Sequence, residues 1–195
     1  MLGGGGPALG PVAVLVPVKS FGEAKLRLAP AVDPPGRVAL ARAMATHVVT
    51  SAAPLAVAVV CDDAEVAAWA RDLGALVVWE PERGLNRAVE AGVDRLAAAG
   101  ARRVVVAHAD LPGAHHLERI GAFLGVTLVP DHRGNGTNVA CVPVGTGFTF
   151  SYGPGSFARH AAEARRLGLG LRVVREPRLG RDVDVPDDLV ALVGS

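Results

Sequence analysis

The sequence predicts a three-layer α/β/α domain built on a mostly parallel sheet. Short apolar segments alternate along the chain with segments whose apolar residues recur at helical spacing. The apolar segments are continuously hydrophobic, as strands are when helices cover both faces of a sheet. The 195 residues are 50% hydrophobic and 20% charged, which suits one globular domain with one core.

The first half of the chain contains three strand–helix pairs. Each predicted strand is a run rich in Val, Ala and Leu bounded by Gly, Pro or Asp. The first helix follows Pro34 and Pro35, because proline suits the start of a helix. In order, these elements are a strand at residues 12–18, a helix at 37–51, a strand at 56–61, a helix at 64–73, a strand at 76–79 and a helix at 85–98.

The second half continues the alternation with shorter strands. A buried strand ends directly before His108-Ala109-Asp110, and a Gly-rich loop separates the next two strands. In order, we expect a strand at 103–107, a helix at 114–123, strands at 127–129 and 139–142, a helix at 157–167, a strand at 171–174, an extended segment at 181–184 and a helix at 187–192.

Residues 1–11 are expected to form a disordered Gly-rich tail, and residues 12–195 a single domain. The run Gly3 to Gly6 precedes the first strand, whereas a phosphate-binding glycine loop follows a strand and opens a helix. It therefore predicts no phosphate site.

Composition excludes several classes of partner. Lys plus Arg number 20 and Asp plus Glu 19, and aromatic residues make up 4% of the chain, so no basic aromatic surface for nucleic acid is expected. No apolar run approaches the length of a membrane span. Cys61 and Cys141 lie in apolar runs, which indicates buried thiols and a reducing, cytoplasmic location.

A basic loop follows the first strand. Lys19, Lys25 and Arg27 lie within twelve residues of sequence, at the edge of the sheet where ligands of parallel α/β folds bind. Three cations there suit a polyphosphate. The alternative is a solvated loop whose cations contact nothing.

Three aspartates are the candidate metal ligands. Asp110 follows a buried strand, where its carboxylate would face the ligand-binding edge, although it could instead cap the next helix. Asp182 and Asp184 are two residues apart, and an extended chain would place both on one face. Like charges about 4 Å apart cost on the order of 4 kcal/mol, which a divalent cation would relieve. On a wet loop, screening would remove most of that cost.

Other polar features are weaker candidates. Loops at 131–138 and 153–156 could receive anions, but ordinary turn chemistry explains each of them. Asp187 and Asp188 suit the start of the last helix and are interpreted as structural. The spacing of His108, His115 and His116 fits no common zinc motif.

Together these segments resemble the guanylyltransferase family of deazaflavin coenzyme F-420 biosynthesis, which is related to the sugar-phosphate and molybdenum-cofactor nucleotidyltransferases. Each motif is weak alone, but their order is specific, and the resemblance spans nearly the whole chain. The motifs are Pro17-Val18-Lys19, Ala24-Lys25, Arg27-Leu28, Gly84-Leu85-Asn86, Ala109-Asp110-Leu111-Pro112, Gly136-Thr137-Asn138, Gly153-Pro154-Gly155-Ser156-Phe157 with His160, and Asp182-Val183-Asp184-Val185-Pro186.

The resemblance implies a nucleotide-diphospho-sugar-transferase-like fold and transfer of GMP from GTP to phosphoenolpyruvate or 2-phospho-L-lactate, with release of pyrophosphate. It implies two magnesium ions held by Asp110, Asp182 and Asp184. The other implied contacts are the acceptor's phosphate at Lys19, its carboxylate at Thr137, Gly153 and Ser156, and the nucleotide at Lys25, Arg27, Gly84, Asn86 and Pro112. Lys25, Arg27 and Asp110 would be catalytic.

The chain departs from the family pattern at Leu26, where Ser or Thr is common, and in a shortened stretch at 144–149. Two alternatives remain open from the sequence: a nucleotidyltransferase of the same fold that acts on a sugar phosphate or a pterin, and a catalytically silent nucleotide-binding module. The choice of acceptor and the oligomeric state also remain open.

Overall fold

The computed structural model describes residues 9–82 and 84–193. The first eight residues of the expected Gly-rich tail therefore lie outside the described part of the chain. Contacts with the domain begin before residue 12, because Leu9 packs against the core and the Pro11 carbonyl accepts hydrogen bonds from the backbone N–H groups of Arg102 and Arg103.

A seven-stranded sheet forms the middle layer. Its strands, in spatial order, are β3-β2-β1-β4-β6-β5-β7. All neighbouring strands are parallel except at β6, which runs antiparallel to β4 and to β5. The mostly parallel sheet is thus confirmed. The strands are β1 (Val12–Pro17), β2 (Ala56–Cys61), β3 (Leu76–Trp79), β4 (Arg103–Ala107), β5 (Val126–Pro130), β6 (Thr137–Pro143) and β7 (Leu171–Val173).

Helices cover both faces of this sheet. Two of them begin at aspartate caps: Asp33 accepts from the N–H of Gly36, and Asp63 accepts from the N–H of Val66. No helix in the described ranges is both long and apolar enough to cross a membrane. The helices are α1 (Pro34–Thr50), α2 (Ala64–Asp72), α3 (Leu85–Ala98), α4 (Leu117–Ile120), α5 (Ser156–Arg166) and α6 (Pro186–Val193).

The core has two parts, one on each face of the sheet. Along β1, Val14 and Val16 face the part that includes α1 and α2, whereas Ala13 and Leu15 face the part that includes α3 and α5. Both faces of the strand are buried, which explains its continuous apolar sequence. Cys61 and Cys141 are free and buried in the first part, as the sequence indicates.

The predicted helix at 114–123 is wrong in extent, because only Leu117–Ile120 is helical. Leu117 and Ile120 are buried, as the apolar spacing suggests. His116, however, has a left-handed backbone with φ 49°, which a continuous helix does not tolerate. The three-residue spacing of the buried Leu117 and Ile120 therefore comes from a single helical turn packed on the core, not from a longer helix.

The fold brings two loops together at one edge of the sheet. β1 and β4 are parallel neighbours, with Leu15 paired to Val106, so the loops that follow them lie side by side. The chain proceeds from β1 to β2 on one side and reaches β4 on the other, and such a switch point is where open α/β sheets bind ligands.

Candidate active site

A cleft of about 640 Å³ lies at the carboxyl ends of β1 and β4. It is lined by cations from the loop after β1, by carboxylates from two other segments and by a glycine from the loop before α5. The chemistry-bearing residues that line it are Lys19, Glu23, Lys25, Arg27, His108, Asp110, Gly153 and Asp184. The structure therefore brings together six residues that the sequence predicts for the site, and adds Glu23 and His108.

Lys25 joins the two carboxylates of the cleft. Its Nζ donates to Asp110 Oδ2 at 2.6 Å and to Asp184 Oδ1 at 3.1 Å, and its side chain is 9% exposed. The residue has a left-handed backbone with φ 56°, which is uncommon for a non-glycine residue. Arg27 is more distant, since its Nη1 lies 3.9 Å from Asp184 Oδ2 and its side chain is 78% exposed.

The opposite charges of this cluster stabilise each other's ionised forms. Burial alone would raise the pKa of Asp110, but the Lys25 ammonium group outweighs this and holds that pKa below its usual value. Burial likewise would lower the pKa of Lys25, but Asp110 and Asp184 together raise it. Both groups are therefore ionised at neutral pH, and the cleft contains a fixed array of opposite charges.

Asp182 lies beside this array but lines a different space. Residues 181–184 belong to no strand, Val183 is buried between the two aspartates, and Asp182 lines a second cavity of about 320 Å³. The sequence argument that Asp182 and Asp184 share one face thus fails to place them in one cavity. The segment still approaches Asp110, because the N–H of Val183 donates to the Asp110 carbonyl at 3.3 Å.

Two observations fit a divalent cation at these aspartates. Asp110 Oδ1 is buried and has no hydrogen-bond partner, a costly state for a carboxylate oxygen. The pKa of Asp182 is raised, first by burial and then by the nearby charges of Asp110 and Asp184, and a cation would relieve that repulsion. Within the described ranges, however, no three Asp, Glu, His or Cys side chains are grouped closely enough to hold one ion.

An acidic cavity of about 120 Å³ adjoins the cleft and shares Lys19 with it. Its wall includes Asp62 and Glu80, which directly follow β2 and β3, as well as Glu82 and Gly84. The Glu80 side chain is 12% exposed, and its Oε1 accepts from the N–H of Glu82. The sequence analysis missed these carboxylates, although the strand-end argument used for Asp110 applies equally to Asp62 and Glu80.

The residues implied for the nucleotide have different positions. Gly84 lines the acidic cavity. Asn86, in the first turn of α3, lines neither that cavity nor the cleft, and its Oδ1 accepts from the N–H of Tyr152 at 2.6 Å. Pro112, in the loop after β4, also lies outside both linings. Asn86 thus acts in this structure as an anchor for the loop that carries Gly153.

The three residues implied for the acceptor's carboxylate lie close together. Ser156 Oγ and Thr137 Oγ1 are 3.4 Å apart, and the N–H of Ser156 donates to the Gly153 carbonyl at 3.0 Å. Gly153 is exposed and lines the cleft, whereas Thr137 and Ser156 are each 1% exposed behind it. Gly153 has φ 113°, a conformation that favours glycine.

Several weaker candidates have structural partners. The N–H groups of Asn135 and Gly136 donate to the carboxylate of Asp131. These donors are therefore already used and do not form an anion site. Asp188 accepts from the N–H groups of Asp184 and Val185 at the start of α6, the structural role that was interpreted for it.

The three histidines near Asp110 also make local contacts. His115 hydrogen-bonds the Gly113 carbonyl, and His116 contacts Glu118. The His108 ring packs against Tyr152 with a centroid distance of 5.0 Å.

The comparison with protein families decides the classification. Residues 12–194 match the model of the family described as guanylyl transferase CofC like. The chain belongs to this family. Two relatives named phosphoenolpyruvate guanylyltransferase are similar over most of their length. That of Sphaerobacter thermophilus is 36% identical, with 92% of this chain and 91% of the relative covered, and that of Rubrobacter xylanophilus is 37% identical, with 94% of each covered.

Solved structures share the fold of this CofC-like guanylyl transferase. A putative nucleotide-diphospho-sugar transferase from Desulfovibrio desulfuricans superposes with a TM-score of 0.75 at 16% identity, covering 94% of this chain and 87% of that one. Glucosyl-3-phosphoglycerate synthase from Mycobacterium tuberculosis, in complex with Mg²⁺ and uridine-diphosphate, superposes with a TM-score of 0.54 at 16% identity, covering 84% and 68%. The nucleotide-diphospho-sugar-transferase-like fold is thereby confirmed.

Proposed function

We propose that this CofC-like guanylyl transferase transfers GMP from GTP to phosphoenolpyruvate and releases pyrophosphate, as a step of coenzyme F-420 biosynthesis in the cytoplasm. The observation that carries the proposal is the Lys25 ammonium group held between Asp110 and Asp184 in a cleft that also contains Lys19 and Arg27. Alternating cations and carboxylates suit two anionic substrates that must be held together with metal.

The reaction needs charge neutralisation more than proton transfer. A phosphate oxygen of the acceptor is already anionic at neutral pH, so it can attack the α-phosphorus of GTP without a general base. The obstacle is the repulsion between two polyanions and the charge that develops on pyrophosphate. Positioned cations lower both costs.

The carboxylates supply the metal-binding part of the proposed site. Asp110, Asp182 and Asp184 would hold two magnesium ions. The Asp110 Oδ1 atom without a hydrogen-bond partner and the raised pKa of Asp182 both support this assignment. Carboxylate oxygens are the ligands that Mg²⁺ prefers. When bound, magnesium would offset the negative charge of both phosphates.

The three cations of the cleft would bind different phosphate groups. Lys19 is exposed where the cleft meets the acidic cavity and would contact the phosphate of phosphoenolpyruvate. Lys25 and Arg27 would hold the departing pyrophosphate, with Lys25 as the buried, fixed charge and Arg27 as the exposed one.

The acidic cavity suits the guanine base. Guanine presents two neighbouring donors, N1–H and the 2-amino group, whereas adenine and cytosine present an acceptor at the corresponding ring nitrogen. A carboxylate such as that of Glu80 or Asp62 accepts from both donors at once. Gly84 lines the same cavity.

The carboxylate of phosphoenolpyruvate would bind at Gly153, Thr137 and Ser156. Gly153 and Ser156 lie at the start of α5, whose N-terminal end favours an anion, and Thr137 at the start of β6 lies beside Ser156. The relatives from Sphaerobacter thermophilus and Rubrobacter xylanophilus carry the name phosphoenolpyruvate guanylyltransferase, which favours phosphoenolpyruvate over 2-phospho-L-lactate as the acceptor.

Pyrophosphate release tests the proposal. Purified protein with Mg²⁺ and GTP should release pyrophosphate in the presence of phosphoenolpyruvate and form a guanylylated three-carbon product visible by mass spectrometry. Competing acceptors in one reaction, namely phosphoenolpyruvate, 2-phospho-L-lactate and a sugar 1-phosphate, should yield mainly the phosphoenolpyruvate adduct. Faster turnover of the sugar phosphate, or of CTP in place of GTP, would contradict it.

A further inference from the structure

His160 is a buried polar residue that the proposed mechanism does not use. It lies in α5, is fully buried and is surrounded by aromatic rings. The ring centroids of Phe148, Phe150 and Tyr152 lie 5.9, 6.1 and 4.9 Å from that of the imidazole. A buried imidazole needs partners for both ring nitrogens, and here both have one.

The two hydrogen bonds determine the tautomer of the ring. The backbone N–H of Ser151 can only donate, and it donates to His160 Nε2 at 2.9 Å. Nε2 therefore carries no proton, and in the neutral ring the proton is on Nδ1. Nδ1 lies 3.1 Å from Thr137 Oγ1, so His160 donates to the threonine hydroxyl.

The ring is neutral at physiological pH. Burial, together with the nearby Arg159 guanidinium and His108 and against the opposing charge of Glu163, lowers the pKa of His160 to about 4. The donor at Nδ1 and the acceptor at Nε2 are thus both present across the neutral range.

The donor at Nδ1 decides what the neighbouring hydroxyl pair can do. Thr137 and Ser156 have two hydroxyl hydrogens between them, and one of these makes the 3.4 Å contact from Ser156 Oγ to Thr137 Oγ1. Because His160 donates, it does not use the second hydrogen. One hydroxyl of the pair therefore keeps a hydrogen that it can donate to a ligand, and an anionic carboxylate is the partner that benefits most.

The acceptor at Nε2 fixes the neighbouring loop. Ser151 lies two residues before Gly153, which lines the cleft. The N–H of Ser156 donates to the Gly153 carbonyl, so the loop is tied to His160 at its start and to α5 at its end. His160 connects Thr137 at the beginning of β6 with this loop.

We propose that His160 is a positioning residue for the acceptor: it fixes the Gly153 loop and leaves the Thr137–Ser156 pair with one hydroxyl hydrogen free to bond the acceptor's carboxylate. The inference rests on the proposed function and deepens it, since it names the group that prepares the carboxylate site.

Three substitutions separate the two hydrogen bonds. His160→Asn places an amide nitrogen near Nδ1 and keeps the donor to Thr137. His160→Gln places an amide oxygen near Nε2 and keeps the acceptor for Ser151. His160→Phe preserves the ring packing and removes both. His47→Asn, on the exposed face of α1, is the control.

Steady-state kinetics should show a selective effect. We expect His160→Phe to raise KM for phosphoenolpyruvate roughly tenfold, the effect of losing about one hydrogen bond to a charged group, while KM for GTP and kcat change little. His160→Asn and His160→Gln should each rescue part of the loss. Equal effects on GTP and phosphoenolpyruvate, or no change in either, would overturn the inference. If His160→Phe does not fold, the Asn and Gln variants carry the same comparison.

Two further measurements separate this inference from the proposed function. Titration calorimetry with phosphoenolpyruvate and Mg²⁺ should show weaker binding to the His160 variants than to wild type, whatever their turnover. Wild type that binds phosphoenolpyruvate but releases no pyrophosphate would overturn the proposed function alone, whereas wild type that does not bind it would overturn both. Nitrogen NMR of the imidazole should show a proton on Nδ1 at neutral pH, and a proton on Nε2 would overturn the inference.

Discussion

The cleft has a charged side, lined by Lys25, Asp110 and Asp184, and a neutral side formed by the buried residues behind the Gly153 loop, and the two are built in opposite ways. On the charged side, Lys25 joins Asp110 and Asp184, while one oxygen of Asp110 is left without a partner. On the neutral side, both nitrogens of His160 are hydrogen-bonded, one of them to Thr137. The first side therefore has a carboxylate oxygen without a partner, whereas the imidazole at the centre of the second has a partner at each nitrogen.

This difference indicates which polar groups would gain a partner only when a ligand binds. Polar groups left unsatisfied in a buried position cost free energy that a bound cation or phosphate can recover. A hydrogen-bond network built around a fully partnered imidazole instead holds its geometry before the ligand arrives. We therefore expect substitutions on the charged side to affect turnover and metal dependence, and those on the neutral side to affect acceptor affinity and pH stability.

Asp184→Asn should have the largest effect. An amide cannot replace a carboxylate at a hard divalent cation, so turnover should fall by about 100-fold or more while the fold persists. The matched control is Asp187→Asn, three residues along in an exposed position, which should leave turnover unchanged. Pyrophosphate release by the two variants measures the contrast, and near-normal turnover of Asp184→Asn would remove this residue from the metal site.

Substitution of the two cations should produce a graded loss. Lys25→Met keeps an unbranched side chain, one atom shorter, but leaves Asp110 and Asp184 without their shared cation, so we expect about a 100-fold loss in kcat/KM for GTP. Arg27→Met should cost less than about tenfold, because that side chain is 78% exposed and screened by solvent. Equal losses in the two variants would show that burial of Lys25 has no functional importance.

On the neutral side, the lowered pKa of His160 should make the free energy of unfolding depend on pH. Burial lowers the pKa of His160 from 6.5 to about 4 in the folded protein, so the unfolded chain takes up a proton first as the pH falls. The stabilisation is complete above pH 6.5 and is lost progressively down to about pH 4, by on the order of 3 kcal/mol. Urea unfolding of wild type and His160→Asn over this range measures it. The variant should show a flatter profile, and parallel profiles would contradict the assignment.

Asp182→Asn should have a small effect on stability, opposite in sign to its effect on activity. The pKa of this carboxyl is raised by burial, Asp110 and Asp184, so its charge is disfavoured in the fold. The amide retains an oxygen for the hydrogen bond from Asn138. The free energy of unfolding in the absence of metal should rise by about 0.5 kcal/mol, while Mg²⁺-dependent turnover falls. A loss of both would indicate a purely structural carboxylate.

Much of the architecture could be predicted from sequence because its cause is local. The apolar run of β1 and the alternation with helices specify a covered parallel sheet, and the strand-end position of Asp110 places it at the ligand-binding edge. The helix expected at 114–123 failed because a left-handed backbone at His116 does not show in apolar spacing.

The site could be predicted only in part, because its remaining features depend on long-range contacts. The spacing of Asp182 and Asp184 could not show that the two carboxylates line different cavities. The bridge from Lys25 to Asp110 spans 85 residues of sequence, and the tautomer of His160 follows from a backbone N–H that no sequence motif marks. Asp62 and Glu80 were within reach of the strand-end argument but were not singled out.

A structure with bound manganese tests the central claim most directly. The claim is that the carboxylates near Lys25 hold the metal that unites the two substrates. Crystals grown with Mn²⁺, phosphoenolpyruvate and a GTP analogue that cannot release pyrophosphate should show anomalous density bound to Asp110 and to Asp182 or Asp184, with Lys25 turned from Asp110 toward the nucleotide phosphates. Manganese bound by phosphates alone, with Lys25 still joining Asp110 and Asp184, would contradict the account.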